Sequence, residues 1–292
     1  HRHYRRQRQM CIRDRNARDV LFNCLKSIPD SLDDQKYEVI IIDNNSSDNS
    51  QLMVKTFFKD YQIIQNKRNE GYTKALNKGL LQARGDYLVV LNPDTILQKK
   101  SITKLVNVLK NNNNIGIIGP KVINEDGTFQ KSCRRGLAKP LAVFSYFLGL
   151  SRLFPDNKIF TGYQLNHLDE NKENEVYGVS GSCMVIKKTL TDDIGYFDER
   201  YFAYQEDSDY CLMAINKGWK ILYFPSVQII HKGGVGGSNS VPMKAIFEWH
   251  RSYYLYYEKH FQHNYLLFFN IFYKMIMLIK LIFSEIKYLI KS

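Results

Sequence analysis

Carboxylates occur in this sequence where apolar or helical segments begin or end, and they are the residues best suited to chemistry. Asp43 ends the apolar run 37–43, and Asp94 lies three residues beyond Leu91, the last residue of a second apolar run. A further group, at the start of a helical segment, consists of Glu206, Asp207 and Asp209. Carboxylates gathered at one edge of a sheet can bind a divalent cation or act as a general base.

The segment 91–95, Leu-Asn-Pro-Asp-Thr, holds the single carboxylate of Asp94. Asn-Pro is a common turn starter, so the segment alone fits a turn as well as a metal site. Its position favours a site, because Asn69 and Gly71 stand at the start of a helix shortly before it. A helix N-terminus attracts phosphate, although ordinary helix capping explains the same residues.

Residues 206–219 predict a helix whose first turn is acidic. Residues two apart do not share a helix face, so Asp207 and Asp209 point in different directions. Asp207 can therefore face a cleft while the rest of the helix is buried. Acids are also favourable at any helix N-terminus, which is the competing explanation.

His231 follows the strand-like run 227–230 and precedes a glycine-rich segment. A histidine after a strand is commonly structural. Of the seven histidines, however, His231 alone has this setting, in which an imidazole can bind a metal or a phosphate.

Alternating strands and helices must position these side chains. The regular pattern begins at Asn16, with a helix that we expect Pro29 to stop. The predicted strands are 37–43, 61–65, 86–91 and 115–119, and the predicted helices between them are 51–58, 71–83 and 101–110. This alternation is typical of an α/β fold with a doubly wound, mostly parallel, Rossmann-like sheet. Ligands of such sheets bind at the carboxyl ends of the strands.

The charge of the chain narrows its class of partner. Of the net charge of +12, +5 falls in the first fifteen residues, which hold six Arg and one Asp. The remaining +7 suits nucleotide phosphates or an anionic membrane surface. No basic patch interleaved with aromatic residues is visible, which argues against nucleic acid. The five cysteines form no CxxC pair, which favours a reducing compartment.

Six segments, in this order, resemble family 2 glycosyltransferases, which are inverting enzymes with the GT-A fold. They are residues 40–50, 69–80, 85–95, 180–188, 194–220 and 225–234. The resemblance extends from about Asn16 to the C-terminal tail. Residues 124–135 look like the rhamnosyltransferase subgroup of bacterial surface-polysaccharide pathways.

The resemblance implies roles for the candidate residues. Those implied to contact a nucleoside-diphosphate sugar donor are Asp43, Asn69, Gly71 and Asn92. Those implied to bind Mg²⁺ or Mn²⁺ are Asp94 and His231, and the implied general base is Asp207. Asn92 stands where the family usually has an aspartate, which leaves one carboxylate fewer for the metal. The implied reaction transfers a sugar, with rhamnose as a candidate, to a hydroxyl of a lipid-linked or oligosaccharide acceptor.

Family members begin with a buried strand directly before the first helix, but residues 1–15 show no strand period. We expect these residues to be a non-native or disordered basic leader and the first strand to be missing. Such a chain would expose a sheet edge and be poorly stable or inactive. The expected domains are this leader, a GT-A domain over 16–240 and a C-terminal helical, membrane-proximal segment over 241–292.

The tail 261–291 predicts an amphipathic helix, because its polar residues fall within an arc of about 160°. A spanning helix needs about 20 mostly apolar residues, and Lys274 and Lys280 interrupt this run. We therefore expect an in-plane helix on the inner face of the cell membrane, which makes the protein cytoplasmic and peripheral. A helix packed on the catalytic domain is the alternative.

Two other functions fit parts of the sequence. A sugar nucleotidyltransferase also uses a doubly wound sheet, but it would need a glycine-rich, basic phosphate loop near the N-terminus. A non-catalytic, glycosyltransferase-like assembly or membrane-binding protein would follow from the loss of the first strand.

Overall fold

The computed structural model describes residues 8–33, 36–154, 157–235 and 241–291. Its strands are β1 (Arg8–Asp14), β2 (Tyr37–Asp43), β3 (Gln62–Gln65), β4 (Tyr87–Leu91), β5 (Thr95–Leu97), β6 (Ile115–Ile123), β7 (Arg134–Arg135), β8 (Asn174–Glu175), β9 (Gly178–Val179), β10 (Cys183–Lys187) and β11 (Lys220–His231). Its α-helices are α1 (Arg18–Ser31), α2 (Ser50–Phe57), α3 (Tyr72–Gln82), α4 (Ser101–Asn111), α5 (Pro140–Phe147), α6 (Leu150–Leu153), α7 (Lys158–Thr161), α8 (Lys188–Ile194), α9 (Glu206–Asn216), α10 (Pro242–His260) and α11 (Leu267–Lys291).

The described residues form a central nine-stranded sheet, with the order β3-β2-β1-β4-β10-β6-β11-β5 and with β8 paired to β11. The first four strands are parallel to one another, as are β6 and β11. The strand β10 is antiparallel to both of its neighbours, β4 and β6. Helices flank this mostly parallel sheet, which confirms the predicted α/β class.

The prediction of a missing first strand is wrong. Residues Arg8–Asp14 form β1, which pairs in parallel with β2 on one side and with β4 on the other. Met10, Cys11 and Ile12 are fully buried and supply the apolar contacts that a strand covered on both faces requires. The sheet therefore has no open edge at this position.

The polar residues of β1 are accommodated with incomplete hydrogen bonding. Arg8 donates from Nη1 to the Leu32 carbonyl (3.3 Å) and to Thr103 Oγ1 (2.9 Å). Burial lowers the pKa of Arg8, and its Nε has no partner among the described residues. Residues 1–7 of the expected leader lie outside the described residues. A non-native origin for 1–15 stays a prediction.

Pro29 does not stop α1, because the helix continues through the proline to Ser31. Proline removes one amide donor from a helix, and α1 extends only two residues beyond Pro29. Here the amide of Leu32 donates to the Pro29 carbonyl at 3.2 Å and closes the helix end.

The C-terminal helices form a second core with α5. Its buried side chains are mainly aromatic and include Tyr253, Tyr256, Tyr257 and Tyr273. The ring of Phe144 in α5 lies 5.3 Å from the ring of Tyr273 in α11, measured between centroids. The predicted helical extension after the sheet is thus present and is packed against the rest of the chain.

One side of α11, which carries Asn270, Tyr273, Met277 and Ser284, faces the protein, and large apolar side chains project outward. Asn270 accepts a hydrogen bond from Tyr257, and Ser284 Oγ lies 3.3 Å from His250 Nε2. Large apolar side chains fill the opposite, exposed side: Phe268, Ile271, Phe272, Met275, Leu278, Ile279, Ile282, Phe283, Ile286, Leu289 and Ile290. An ordinary surface helix instead carries charged and polar residues on its outward side.

Candidate active site

A cleft of about 400 Å³ opens at the carboxyl ends of β1 and β4, beside the first turn of α9. Five of the seven predicted site residues line it: Asn69, Asn92, Asp94, Asp207 and His231. These residues come from separate parts of the chain, and the sheet edge brings them together, as ligand sites in such sheets require.

The pairing of two strands places His231 beside Asp94. Thr95 of β5 is the register partner of His231 in β11, so the residue before Thr95 lies next to the imidazole. His231 Nε2 is 3.2 Å from Asp94 Oδ1, and both side chains are largely buried. The backbone also joins the two strands, since the Lys232 amide donates to the Asp94 carbonyl at 3.0 Å.

Hydrogen bonds assign the tautomer of His231. Its Nδ1 lies 2.8 Å from Gln130 Oε1, while Gln130 Nε2 donates to Asn124 Oδ1 at 2.9 Å and fixes the amide orientation. Nδ1 therefore carries a proton, and in the neutral imidazole this leaves the lone pair of Nε2 on the side of Asp94. Asn92 Nδ2 also lies 3.2 Å from Nε2.

The donor set at this position fits a hard divalent cation. Asp94 offers a carboxylate oxygen and His231 offers an imidazole nitrogen whose orientation is set by its other ring nitrogen. No group of three or more His, Cys, Asp or Glu ligands occurs within the described ranges. Mg²⁺ and similar ions commonly take only one or two protein ligands and complete their shell with substrate phosphates and water.

Asp207 lies in the first turn of α9 with partners on both carboxylate oxygens. Arg135 Nη1 donates to Oδ1 at 2.6 Å, and the Gly181 amide donates to Oδ2 at 3.0 Å. Burial would lower the pKa of Arg135, but the adjacent carboxylate outweighs this and raises it. These contacts hold the Asp207 carboxylate in one orientation on the cleft wall.

Glu206, the neighbour of Asp207, also lines the cleft. Its Oε2 is buried and has no hydrogen-bond partner in the described part of the chain. Burial, followed by the charge of Asp207, raises the pKa of Glu206 to about 8. Burial and the neighbouring charge thus favour the protonated form of Glu206, beside the ion-paired carboxylate of Asp207.

Asn69 and Gly71 are fixed by a single amide. Asn44 Nδ2 donates to Asn69 Oδ1 and to the Gly71 carbonyl, both at 2.8 Å. Gly71 has a φ of 92°, and a Cβ there would lie 2.7 Å from the Phe202 carbonyl oxygen. Gly71 therefore permits close packing but does not line the cleft, and its contact with a nucleotide stays a prediction.

Asp43 is at the predicted sheet edge but below the cleft wall. It is fully buried, and it accepts hydrogen bonds from the Ser46 amide (3.1 Å) and from Gln51 Nε2 (2.5 Å). These bonds organise the loop between β2 and α2. A contact between Asp43 and a nucleotide stays a prediction.

Gln130 and Arg135 are site residues that the sequence did not predict. They lie in the segment 124–135, whose only predicted meaning is a likeness to the rhamnosyltransferase subgroup. Glu206 is predicted only as one of three acids at a helix start. The available signals were a polar residue and paired arginines after a turn.

Solved structures define the class of fold. S. aureus TarS 1–349 has a TM-score of 0.56 at 15% identity, over 86% of this chain and 65% of that one. The mannosyltransferase PcManGT from Pyrobaculum calidifontis, solved with GDP-Man and Mn²⁺, has a TM-score of 0.56 at 14% identity, over 87% and 64%. The fold is therefore the GT-A fold of glycosyltransferases, as the resemblance implied.

Residues 11–195 match the family described as Glycosyl transferase family 2, and the chain belongs to that family. The N-acetylglucosaminyl-diphospho-decaprenol L-rhamnosyltransferase of Mycobacterium tuberculosis is 28% identical over 204 residues, which is 66% of this chain and 66% of the relative. The chain thus spans slightly less than two thirds of that relative's length. The predicted likeness to rhamnosyltransferases is confirmed.

Proposed function

We propose that this chain transfers a sugar from a nucleoside-diphosphate sugar to a hydroxyl of a lipid-linked acceptor, with inversion, in cell-surface polysaccharide synthesis. The observation that carries the proposal is a cleft that contains both the Asp94–His231 pair and the oriented carboxylate of Asp207. The name of the mycobacterial relative supports a diphosphate-linked lipid as acceptor class and rhamnose as first candidate sugar.

Each residue has a role in this reaction. Asp94 and His231 would hold Mg²⁺ or Mn²⁺, which when bound neutralises the leaving nucleoside diphosphate. Asp207 accepts the proton of the acceptor hydroxyl as its oxygen bonds to the anomeric carbon and the bond to the diphosphate breaks. Arg135 and the Gly181 amide keep the Asp207 carboxylate aimed into the cleft.

We also propose that α11 lies in the plane of the inner face of the cell membrane. The helix is long and apolar enough to cross a membrane by length and composition. It stays beside α10 over most of its length, however, with Asn270 on Tyr257 near one end and Ser284 near His250 towards the other. A spanning α11 would draw the charged helix α10 into hydrocarbon, which is costly.

The alternatives have less support. Membership of family 2 argues against a sugar nucleotidyltransferase. The presence of β1 removes the reason for expecting an inactive, strand-deficient chain.

The test of transfer uses a panel of nucleoside-diphosphate sugars, Mn²⁺ and N-acetylglucosaminyl diphosphate linked to a polyprenol. Product mass and the anomeric configuration by NMR identify the reaction. We expect Asp207→Asn to lower kcat by about 10²- to 10⁴-fold while the protein still binds donor in thermal-shift assays. We expect Asp94→Ala to lose Mn²⁺-dependent donor binding. Unchanged transfer by both variants would refute the assigned roles.

A further inference from the structure

A second cavity of about 240 Å³ lies beside the cleft. The two share Tyr146, Gln164 and Trp249 as wall residues. The rest of the second cavity, called here the side cavity, is lined by α5, the start of α6 and α11. The residues that complete it are Phe147, Gly149, Ser151, Arg152 and Lys280. It therefore lies between the cleft and the helix with the exposed apolar side.

The side cavity contains two cations, Lys280 and Arg152, that have no acidic partner among the described residues. Lys280 Nζ lies 5.3 Å from the ring centroid of Phe147 and 5.9 Å from that of Trp249, and it donates to Ser284 Oγ at 3.3 Å. The guanidinium of Arg152 makes no hydrogen bond or ion pair within the described ranges. Burial, followed by the charge of Lys287, lowers the pKa of Lys280, so an anion in the cavity would stabilise its ammonium form.

Apolar side chains adjoin both cations. Leu148 and Leu153 flank the segment that carries Arg152, and both are about 70% exposed. Ile279 and Phe283 stand next to Lys280 on α11 and are also exposed. A ligand with an anionic group in the cavity could thus extend an apolar chain outward. Its other end could extend inward, past Trp249, into the cleft.

We propose that the side cavity binds the diphosphate of a polyprenyl-diphosphate-linked acceptor, which rests on the lipid-linked acceptor proposed above. A lysine and an arginine together match the charge of a diphosphate, and the rings of Phe147 and Trp249 cover the lysine end of the cavity. The prenyl chain leaves along the exposed apolar residues of α6 and α11. The acceptor sugar passes the shared wall to reach Asp207.

The direct test measures binding of farnesyl diphosphate, a short prenyl diphosphate, by calorimetry with EDTA present to suppress metal-dependent binding at the donor site. We expect Lys280→Gln combined with Arg152→Gln to weaken binding at least tenfold. Lys110→Gln, a matched charge change on α4, should leave it unchanged. Equal binding by the double variant and the wild type would overturn the proposal, provided that circular dichroism shows both are folded.

A second set of measurements distinguishes a prenyl diphosphate from a phospholipid as the ligand. It also distinguishes failure of the side-cavity proposal from failure of the proposed function. If phosphatidylglycerol vesicles displace bound farnesyl diphosphate as effectively as added farnesyl diphosphate does, the side cavity is a phospholipid site. That result would overturn the assignment. In transfer assays the double variant should raise KM for the polyprenyl-diphosphate acceptor tenfold or more, with the donor KM unchanged. Binding without any transfer would count against the proposed function alone, whereas transfer with an unchanged acceptor KM would count against the side cavity alone.

Discussion

At the scale of single residues, Gln130 sets which nitrogen of His231 carries the proton. Its Oε1 accepts from Nδ1, so Nε2 keeps its lone pair towards Asp94. Without this partner the imidazole can rotate or change tautomer, which weakens it as a metal ligand. Gln130 is therefore a positioning residue for the proposed metal pair.

We predict that Gln130→Met weakens Mn²⁺ binding about 10- to 100-fold in the presence of a nucleoside diphosphate. Electron paramagnetic resonance titration measures the affinity, and nitrogen NMR of the histidine side chain reports the tautomer. Gln98→Met makes the same change at an exposed position and should have no effect. Unaltered Mn²⁺ affinity with the tautomer shifted would show that the cation does not depend on this imidazole.

Glu206 gives the site a pH dependence of known sign. Its folded pKa of about 8 lies above its ordinary value of 4.5. Between these values the folded state keeps a proton that the unfolded state has lost, so the contribution of Glu206 to the free energy of unfolding falls as pH rises.

We predict that Glu206→Gln removes this slope, because the amide cannot ionise. The stability of the variant relative to the wild type should increase from pH 5 to pH 8 by at most about 1.4 kcal/mol per pH unit. Urea unfolding across this range measures the difference. Glu175→Gln, at an exposed ion pair with Lys220, should give a flat difference. A flat difference for Glu206→Gln itself would contradict the burial of a neutral acid.

The sequence patterns predicted individual site residues but not the residues that contact them. Asp94, Asp207 and His231 each stand at a strand end or helix start, which local periodicity predicts. Arg135 contacts Asp207 across 72 residues of chain, and Gln130 contacts His231 across 101. No local pattern links residues so far apart, because the contact depends on the order of strands in the sheet.

At the scale of elements, Asp209 joins the catalytic helix α9 to α10. It is fully buried and accepts hydrogen bonds from Lys259 Nζ (2.8 Å) and Tyr201 (3.3 Å), while His260 Nε2 lies 2.6 Å from it. Asp207 faces the cleft from the same turn, so the two acids do point in different directions. The position of α9 thus depends on the C-terminal segment.

We predict that Asp209→Ala lowers the free energy of unfolding by about 3–5 kcal/mol, because Tyr201 and His260 lose a buried partner and Lys259 keeps only its contact with Asp198. Glu258→Gln, at a half-buried position of α10 where the amide oxygen can still accept the hydrogen bond of Tyr254, should cost less than about 1 kcal/mol. Chemical denaturation measures both. A loss for Asp209→Ala no larger than that of the control would indicate that α10 does not hold α9 in place.

The strand β1 shows why an element can escape sequence analysis. Four of its seven residues are polar, and only Met10, Cys11 and Ile12 resemble a buried strand. The long apolar runs of β2 and β4 were predicted from composition, whereas β1 forms because both neighbours offer unpaired backbone groups. For β1, pairing with its two neighbouring strands therefore outweighed a local composition that does not predict a strand.

At the scale of the whole molecule, large apolar side chains are exposed on α11 and leucines on α5 and α6. The helix α5 contacts α11 through Phe144 and Tyr273. Exposed apolar side chains in this number are unfavourable in water. The outward direction of this side was not predictable from the tail alone. An amphipathic pattern gives two sides of a helix but does not say which one meets the protein.

We predict that the chain co-sediments with phosphatidylglycerol vesicles and is released by an alkaline carbonate wash. Ile282→Asp with Phe283→Asp should weaken vesicle binding about 100-fold or more, since burying each side chain in lipid contributes about 1.5–3 kcal/mol. Both residues are exposed, so thermal stability in solution should change little. Leu81→Asp, at an exposed leucine on α3, is the matched control and should bind vesicles normally. Retention after the carbonate wash would instead indicate that α11 spans the membrane, and equal binding by the double variant would show that this side does not contact lipid.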